Sequence, residues 1–175
     1  MEMIDGDENH AHEHYFPFEP QGYHFAPERA TYLAKFARLR TGAGNKYLAY
    51  GKMLKPLDIT CEKVVLNWFH YNCNKNSPEY NDSGELTVDA IVHSAWKYRN
   101  QSVGLFFANV SEKEQALLIS LDVSSFDLMS ERLAIRMITE TNESELFVVG
   151  TEKKGKVDIP IPERSVVLLE VFPRK

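Results

Sequence analysis

The chain has 175 residues and a mass of 20.1 kDa, enough for about one domain and too little for a complete (β/α)8 barrel of about 250 residues. Apolar residues make up 43% and charged residues 26%, a balance that supports a real core and excludes wholesale disorder. A net charge of −5 and a pI near 5.7 supply no electrostatic footprint for a phosphate backbone or an anionic bilayer, so neither nucleic acid nor membrane is expected as a partner.

Met1 to His14 is acidic and His-rich, where a signal peptide would be basic and then apolar, and no run of about 18 apolar residues occurs. The sequence shows no signal peptide or transmembrane segment and leaves the compartment open. Cys61 and Cys73 bracket a stretch that reads as one strand. At about 3.3 Å per residue, that strand would hold their Cα atoms well beyond the roughly 7 Å reach of a disulfide, so two free thiols are expected unless the strand folds back on itself.

Residues 1–25 are acidic, then aromatic and proline-broken (Tyr15, Phe16, Pro17, Phe18, Pro20, Tyr23, Phe25), with no helical or strand period. They read as a tail followed by an extended aromatic loop. Pro27 suits a first helical position, Glu28 the helix dipole, and Gly42 and Gly44 the stop, which predicts a helix over residues 27–41. Its apolar side chains spread over an arc of about 220°, wider than one buried face needs, so this helix wants cover on more than one side. A second short helix is expected over Lys46 to Met53, ahead of Pro56.

Beyond Pro56 the pattern switches to strands. Leu86 to Tyr98 alternates most clearly, with Leu86, Val88, Ala90, Val92, Ser94, Trp96 and Tyr98 read as the core face and Thr87, Asp89, Ile91, His93, Ala95, Lys97 and Arg99 as a largely polar one. Val103 to Val110 is apolar on both faces, as a central strand is, and Arg99 to Ser102 joins the two as a hairpin. Further strands are expected over 63–71, 115–121, 132–139, 145–149, 156–159 and 165–172. The fold class is therefore mainly β: an antiparallel β-sandwich of about eight strands with an N-terminal helical segment. Three regions follow, a tail and loop over 1–25, a helical segment over 26–56 and the sandwich over 57–175.

Candidate chemistry is sparse. His10, His12 and His14 alternate, so in an extended chain they share one side and could hold a Zn²⁺, Ni²⁺ or Cu²⁺ ion; the competing reading is a solvated His-rich tail. Glu79, Asp82, Glu85, Glu112 and Glu114 sit in turn-like contexts that suit solubility. No nucleophile elbow, phosphate loop, HExxH or CxxC occurs, so no catalytic residue and no cofactor is assigned, and His93 beside Ser94 reads as structural. Trp68, Phe69, Tyr71, Trp96, Tyr98, Phe106 and Phe107 would either fill the core or stack a sugar ring. A carbohydrate site would draw on Trp68, Tyr71, Tyr80 and Asp82. Trp68 and Trp96 are expected to be mostly buried, Trp96 on the same face as Val88, Ala90 and Val92. N-x-S/T sequons at Asn81, Asn100, Asn109 and Asn142 read as chance, because Asn and Ser gather in turns.

Three segments together, "YLAKFARLRTGAGNKYLAYGKMLKP" (Tyr32 to Pro56), "VHSAWKYRNQSVGLFFANVSEKEQ" (Val92 to Gln115) and "IPIPERSVVLLEV" (Ile159 to Val171), resemble the C-terminal region of a bacterial glycoside-hydrolase-like family of uncharacterised function. In those proteins a (β/α)8 barrel ends in a helix and the chain enters an antiparallel β-sandwich. The resemblance spans about residues 26–175 and implies that the first helix corresponds to the last barrel helix. It implies a non-catalytic accessory domain supporting a barrel. A carbohydrate-binding module, or a fragment completing a glycosidase site with a partner chain through Glu19, Tyr23 or His24, are the other readings. The barrel strands that carry catalytic residues in such enzymes have no counterpart here, so no catalytic position transfers. The expected partners are a barrel domain, or a second copy forming a homodimer through the helical segment, and a carbohydrate.

Overall fold

A computed structural model describes residues 27–71, 81–128, 132–149 and 154–174, with side chains left undescribed at 27–29, 67–71, 81–83 and 147–149. Among the described residues, helix α1 (Pro27–Thr41) and a single turn α2 (Asn45–Leu48) precede ten antiparallel strands. These are β1 (Lys52–Leu54), β2 (Lys63–Tyr71), β3 (Asn81–Asp89), β4 (Ile91–Tyr98), β5 (Ser102–Asn109), β6 (Gln115–Asp122), β7 (Leu133–Ile138), β8 (Glu143–Val149), β9 (Lys154–Ile161) and β10 (Ser165–Pro173), with a 3-10 turn at Val123–Phe126. The fold is mainly β, as the strand periods predict. Two compact units are present, one built on Lys63–Val88, the other on Arg29–Glu62 with Asp89–Lys175. The first carries the β2-β3 pair.

In the larger unit, β1-β4-β5-β10-β7-β8 form one sheet and β6-β9 a two-stranded ribbon. Alternation explains the ribbon. Leu117, Ile119 and Leu121 of β6 and Val157, Ile159 and Ile161 of β9 are buried, while the residues between them are exposed, so one face seals against the sheet. Every residue of β5 is buried, because it lies inside the sheet between β4 and β10 and both its faces are covered. Leu105, Phe107, Val167 and Leu169 face the ribbon, and Phe106, Ala108, Val166 and Leu168 face the helical segment, where Leu39 and Tyr47 cover them.

The helix stop falls where the glycines put it. The Gly42 and Gly44 amides donate to the Arg38 and Leu39 carbonyls at 2.9 and 2.8 Å. A Cβ on Gly44 would lie 2.7 Å from the Leu39 carbonyl oxygen, a close approach only glycine allows.

Three expectations are corrected. The second helix stops at Leu48 rather than reaching Met53, which pairs with Trp96 in β1-β4. Leu86 to Tyr98 is not one strand, since it breaks at Ala90, whose amide bonds the Glu62 carbonyl and whose carbonyl accepts from the Val110 amide. Within β4 the fully buried side chains are Ile91 and Ala95, from the face read as polar, whereas Val92 is 55% exposed. Both faces of β4 are in use, so alternation alone could not say which faces the main core. His93 belongs to that core-facing set. It stacks on Phe107 and makes a 2.7 Å hydrogen bond through Nε2 to the Leu57 carbonyl, a structural role. Trp96 is half-buried, with its indole N–H on Ser94 Oγ at 3.0 Å.

Candidate functional site

Two features of the larger unit carry polar or cavity chemistry. The first centres on Glu170, which is 1% exposed and is the one charged residue of β10. It sits opposite Gly104 of β5 and Arg136 of β7, on the face beneath the helical segment. Gly104 leaves room for Tyr47, and a Cβ there would come within 2.8 Å of the phenol ring. The Tyr47 hydroxyl donates to Glu170 Oε1 at 2.5 Å and lies 2.8 Å from Ser102 Oγ. Lys46 Nζ pairs with the same carboxylate oxygen. Arg136 engages Oε2 through Nε at 2.5 Å and through Nη2, and its Nη1 bonds Glu143 of β8.

The carboxylate thus has two donors on each oxygen, as a buried charge requires. Burial alone would push its pKa up. The hydrogen bonds and charges of Lys46, Tyr47 and Arg136 outweigh that and hold it below the ordinary value of 4.5. Burial, then the Glu170 charge, pushes the Tyr47 phenol far up. With two donors on each oxygen, Glu170 is engaged as an anchor for α2 rather than held free as a general base. A polar recess of about 410 Å³ adjoins it, lined by Thr41, Asn45, Lys46, Arg136 and Glu170.

The second feature is an apolar cleft of about 910 Å³ between α1 and the sheet, walled by Tyr32, Leu33, Phe36, Phe106, Ala108 and Val166. Its size is that of a small-molecule pocket, but its polar groups are few. The Thr41 hydroxyl, for instance, is spent on the Ala37 carbonyl at 2.8 Å.

Of the residues singled out from sequence, His10, His12, His14 and Tyr80 lie outside the described residues, as do Glu19, Tyr23, His24 and Cys73. Trp68, Tyr71 and Asp82 have described backbone in β2 and β3 but no described side chain. Among the described residues, no group of three His, Cys, Asp or Glu is placed to hold a metal, and Cys61 is a free thiol. Phe106 and Phe107 are core residues, and Tyr98 packs edge-on against Tyr47, 6.5 Å between centroids. The Glu170 cluster escaped the sequence reading. Its available signal was a single acid in VVLLEVF and a single base in LAIRMI, since lone charges in apolar strands need partners.

No family model and no curated protein matches the chain. Among solved structures it is similar to a GH27 β-L-arabinopyranosidase from Geobacillus stearothermophilus in complex with arabinose, at 16% identity and a TM-score of 0.36, over 50% of this chain and 18% of that one. It is also similar to a Bacillus halodurans protein assigned as an α-N-acetylgalactosaminidase, at 14% identity and 0.36, over 63% and 20%. A third likeness is to a Paenibacillus polymyxa xyloglucanase of GH family 44 with xyloglucan, at 10% identity and 0.31, over 54% and 19%. The chain spans no more than 20% of the length of these proteins. The similarity is distant, concerns parts of glycoside hydrolases, and assigns no family.

Proposed function

We propose that this chain is a non-catalytic C-terminal β-sandwich accessory domain of a glycoside-hydrolase-like protein, giving structural support to a barrel. The observation that carries this reading is the flank of α1 that the described residues leave uncovered. Only Leu39 of its apolar arc is fully buried, while Leu33 stays 64% exposed and Phe36 lines an open cleft. Helices with apolar side chains on that much of their circumference are stable inside larger assemblies. The resemblance of the three sequence segments supplies the class of neighbour, a barrel whose last helix α1 would be. A second copy docking on the same flank is the competing partner.

The test has three arms. A reading frame beside this one is sought for a barrel, and its product is co-expressed with the chain; co-purification that Leu33→Glu with Phe36→Glu abolishes is the expected result. The purified chain is screened on a glycan array and on a panel of chromogenic glycosides. Saturable binding lost on Trp68→Ala or Tyr80→Ala would replace the accessory reading with a carbohydrate-binding module. Turnover of any glycoside would overturn both.

A further inference from the structure

We propose that the α1-α2 segment is a releasable cover, clamped to the sheet by Glu170 and able to lift away while the sandwich beneath it stays folded. The geometry divides the larger unit into two apolar layers. The ribbon seals one face of the sheet with the larger core cluster, and the helical segment covers the other through Leu39, Tyr47 and Leu48. Much of α1 already faces solvent, held by Leu39 and by Lys35 Nζ on the Arg164 carbonyl at 3.2 Å, while the charged and buried polar contacts of the cover gather at α2. There, Lys46 and Tyr47 both end on the one buried carboxylate of β10.

Among the described residues, the charged and titratable groups that meet that carboxylate all belong to the clamp. Lys46 and Tyr47 come from α2, Arg136 from β7 with Glu143 of β8 beyond it, and β5 contributes only the Ser102 hydroxyl and Gly104. Neutralising Glu170 removes the ion pair it makes with Lys46 and one of the two made by Arg136, whose Nη1 keeps Glu143, and leaves two cations beside the same recess. Lifting α2 then withdraws Tyr47 from Gly104 and bares Phe106, Ala108, Val166 and Leu168. The larger core on the opposite face loses nothing. The hydrogen bonds that keep the carboxylate ionised set the direction of the response, toward release as the solution becomes acidic.

Hydrogen exchange with fragment-level readout tests this on the full chain, comparing the natural protein with Glu170→Gln and Tyr47→Phe at neutral pH. Amides of residues 35–50 should exchange about tenfold faster or more in both variants, while those of 117–121 and 157–161 stay within about twofold. Gly104→Ala, which pushes Tyr47 off by crowding and touches no charge, should give the same split and serves if Glu170→Gln does not accumulate. A dye that fluoresces on apolar surfaces should bind the natural protein only once pH has fallen beneath the ordinary value of 4.5, through the lower value at which Glu170 takes up its proton in the folded chain, with its β-sheet circular dichroism retained, and should bind Glu170→Gln already at pH 7. Equal acceleration of helical and ribbon amides, or none in the helical segment, overturns the proposal. So does dye binding that appears only with loss of the sheet signal.

Discussion

Asn109 and Ser111 lock the end of β5. The Asn109 side-chain oxygen accepts from the Ser111 amide at 2.9 Å and from its hydroxyl at 2.6 Å, while the amide nitrogen faces the Lys113, Ile161 and Pro162 carbonyls at 2.7, 3.0 and 3.0 Å. Asn109 is wholly buried, so it ties the sheet to the end of the ribbon strand β9 where no water can substitute. Asn109→Ala should cost about 2 to 3 kcal/mol, because several buried groups lose their partner together. Thermal melting within a degree of the natural protein would refute this. The same geometry removes Asn109 as a glycan acceptor, giving its sequon a structural reason to exist.

Trp96 offers a graded case. Packed beside the helix-facing cluster yet only half-buried, it should lose about 1.5 to 3 kcal/mol on Trp96→Ala, less than a wholly buried ring. Urea unfolding gives the figure, and a loss above about 4 kcal/mol would mean that the ring is sealed on all sides.

The Tyr47 phenol predicts an alkaline limit. Its native pKa lies above the ordinary 10.0 through burial and the adjacent Glu170 charge. The unfolded chain therefore releases this proton first, and the stability it confers is intact below about pH 10 and falls as pH rises beyond that. Denaturant midpoints measured from pH 8 to 11 should drop in the natural protein and drop less steeply in Tyr47→Phe. Identical slopes would show that the phenol titrates normally.

Legibility followed the range over which each feature is encoded. The span of α1 was readable because Pro27, Gly42 and Gly44 act within a turn of themselves. β5, β6, β9 and β10 were readable because burial repeats at two residues or runs unbroken on a central strand. The break at Ala90 was not, because it depends on hydrogen bonds to Glu62 and Val110 that no local window contains. Nor did alternation reveal that β4 serves two layers, since that requires knowing what covers each face. The Glu170 cluster joins α2 to a strand 123 residues later, and only lone charges in apolar strands hinted at it. The carbohydrate and metal candidates drawn from sequence rest on side chains outside the described residues, and the structure leaves them as proposals.

The ribbon register supplies the last prediction. In β6, Leu118 is 62% exposed while its neighbours Leu117 and Ile119 are buried against the sheet. Register with β9 pairs Leu118 with Asp158 and Ile119 with Val157, so the outward row is polar on one strand and the inward row apolar on both. Leu118→Lys should therefore change stability by no more than about 0.5 kcal/mol, whereas Ile119→Ala should cost about 2 to 4 kcal/mol through lost burial and an unfilled cavity. A one-residue slip would exchange the two outcomes, because it turns every side chain of the strand to the other face. Chemical denaturation of the two variants side by side decides the register, and a large loss for Leu118→Lys with a small one for Ile119→Ala would reverse the assignment of the ribbon's inner face.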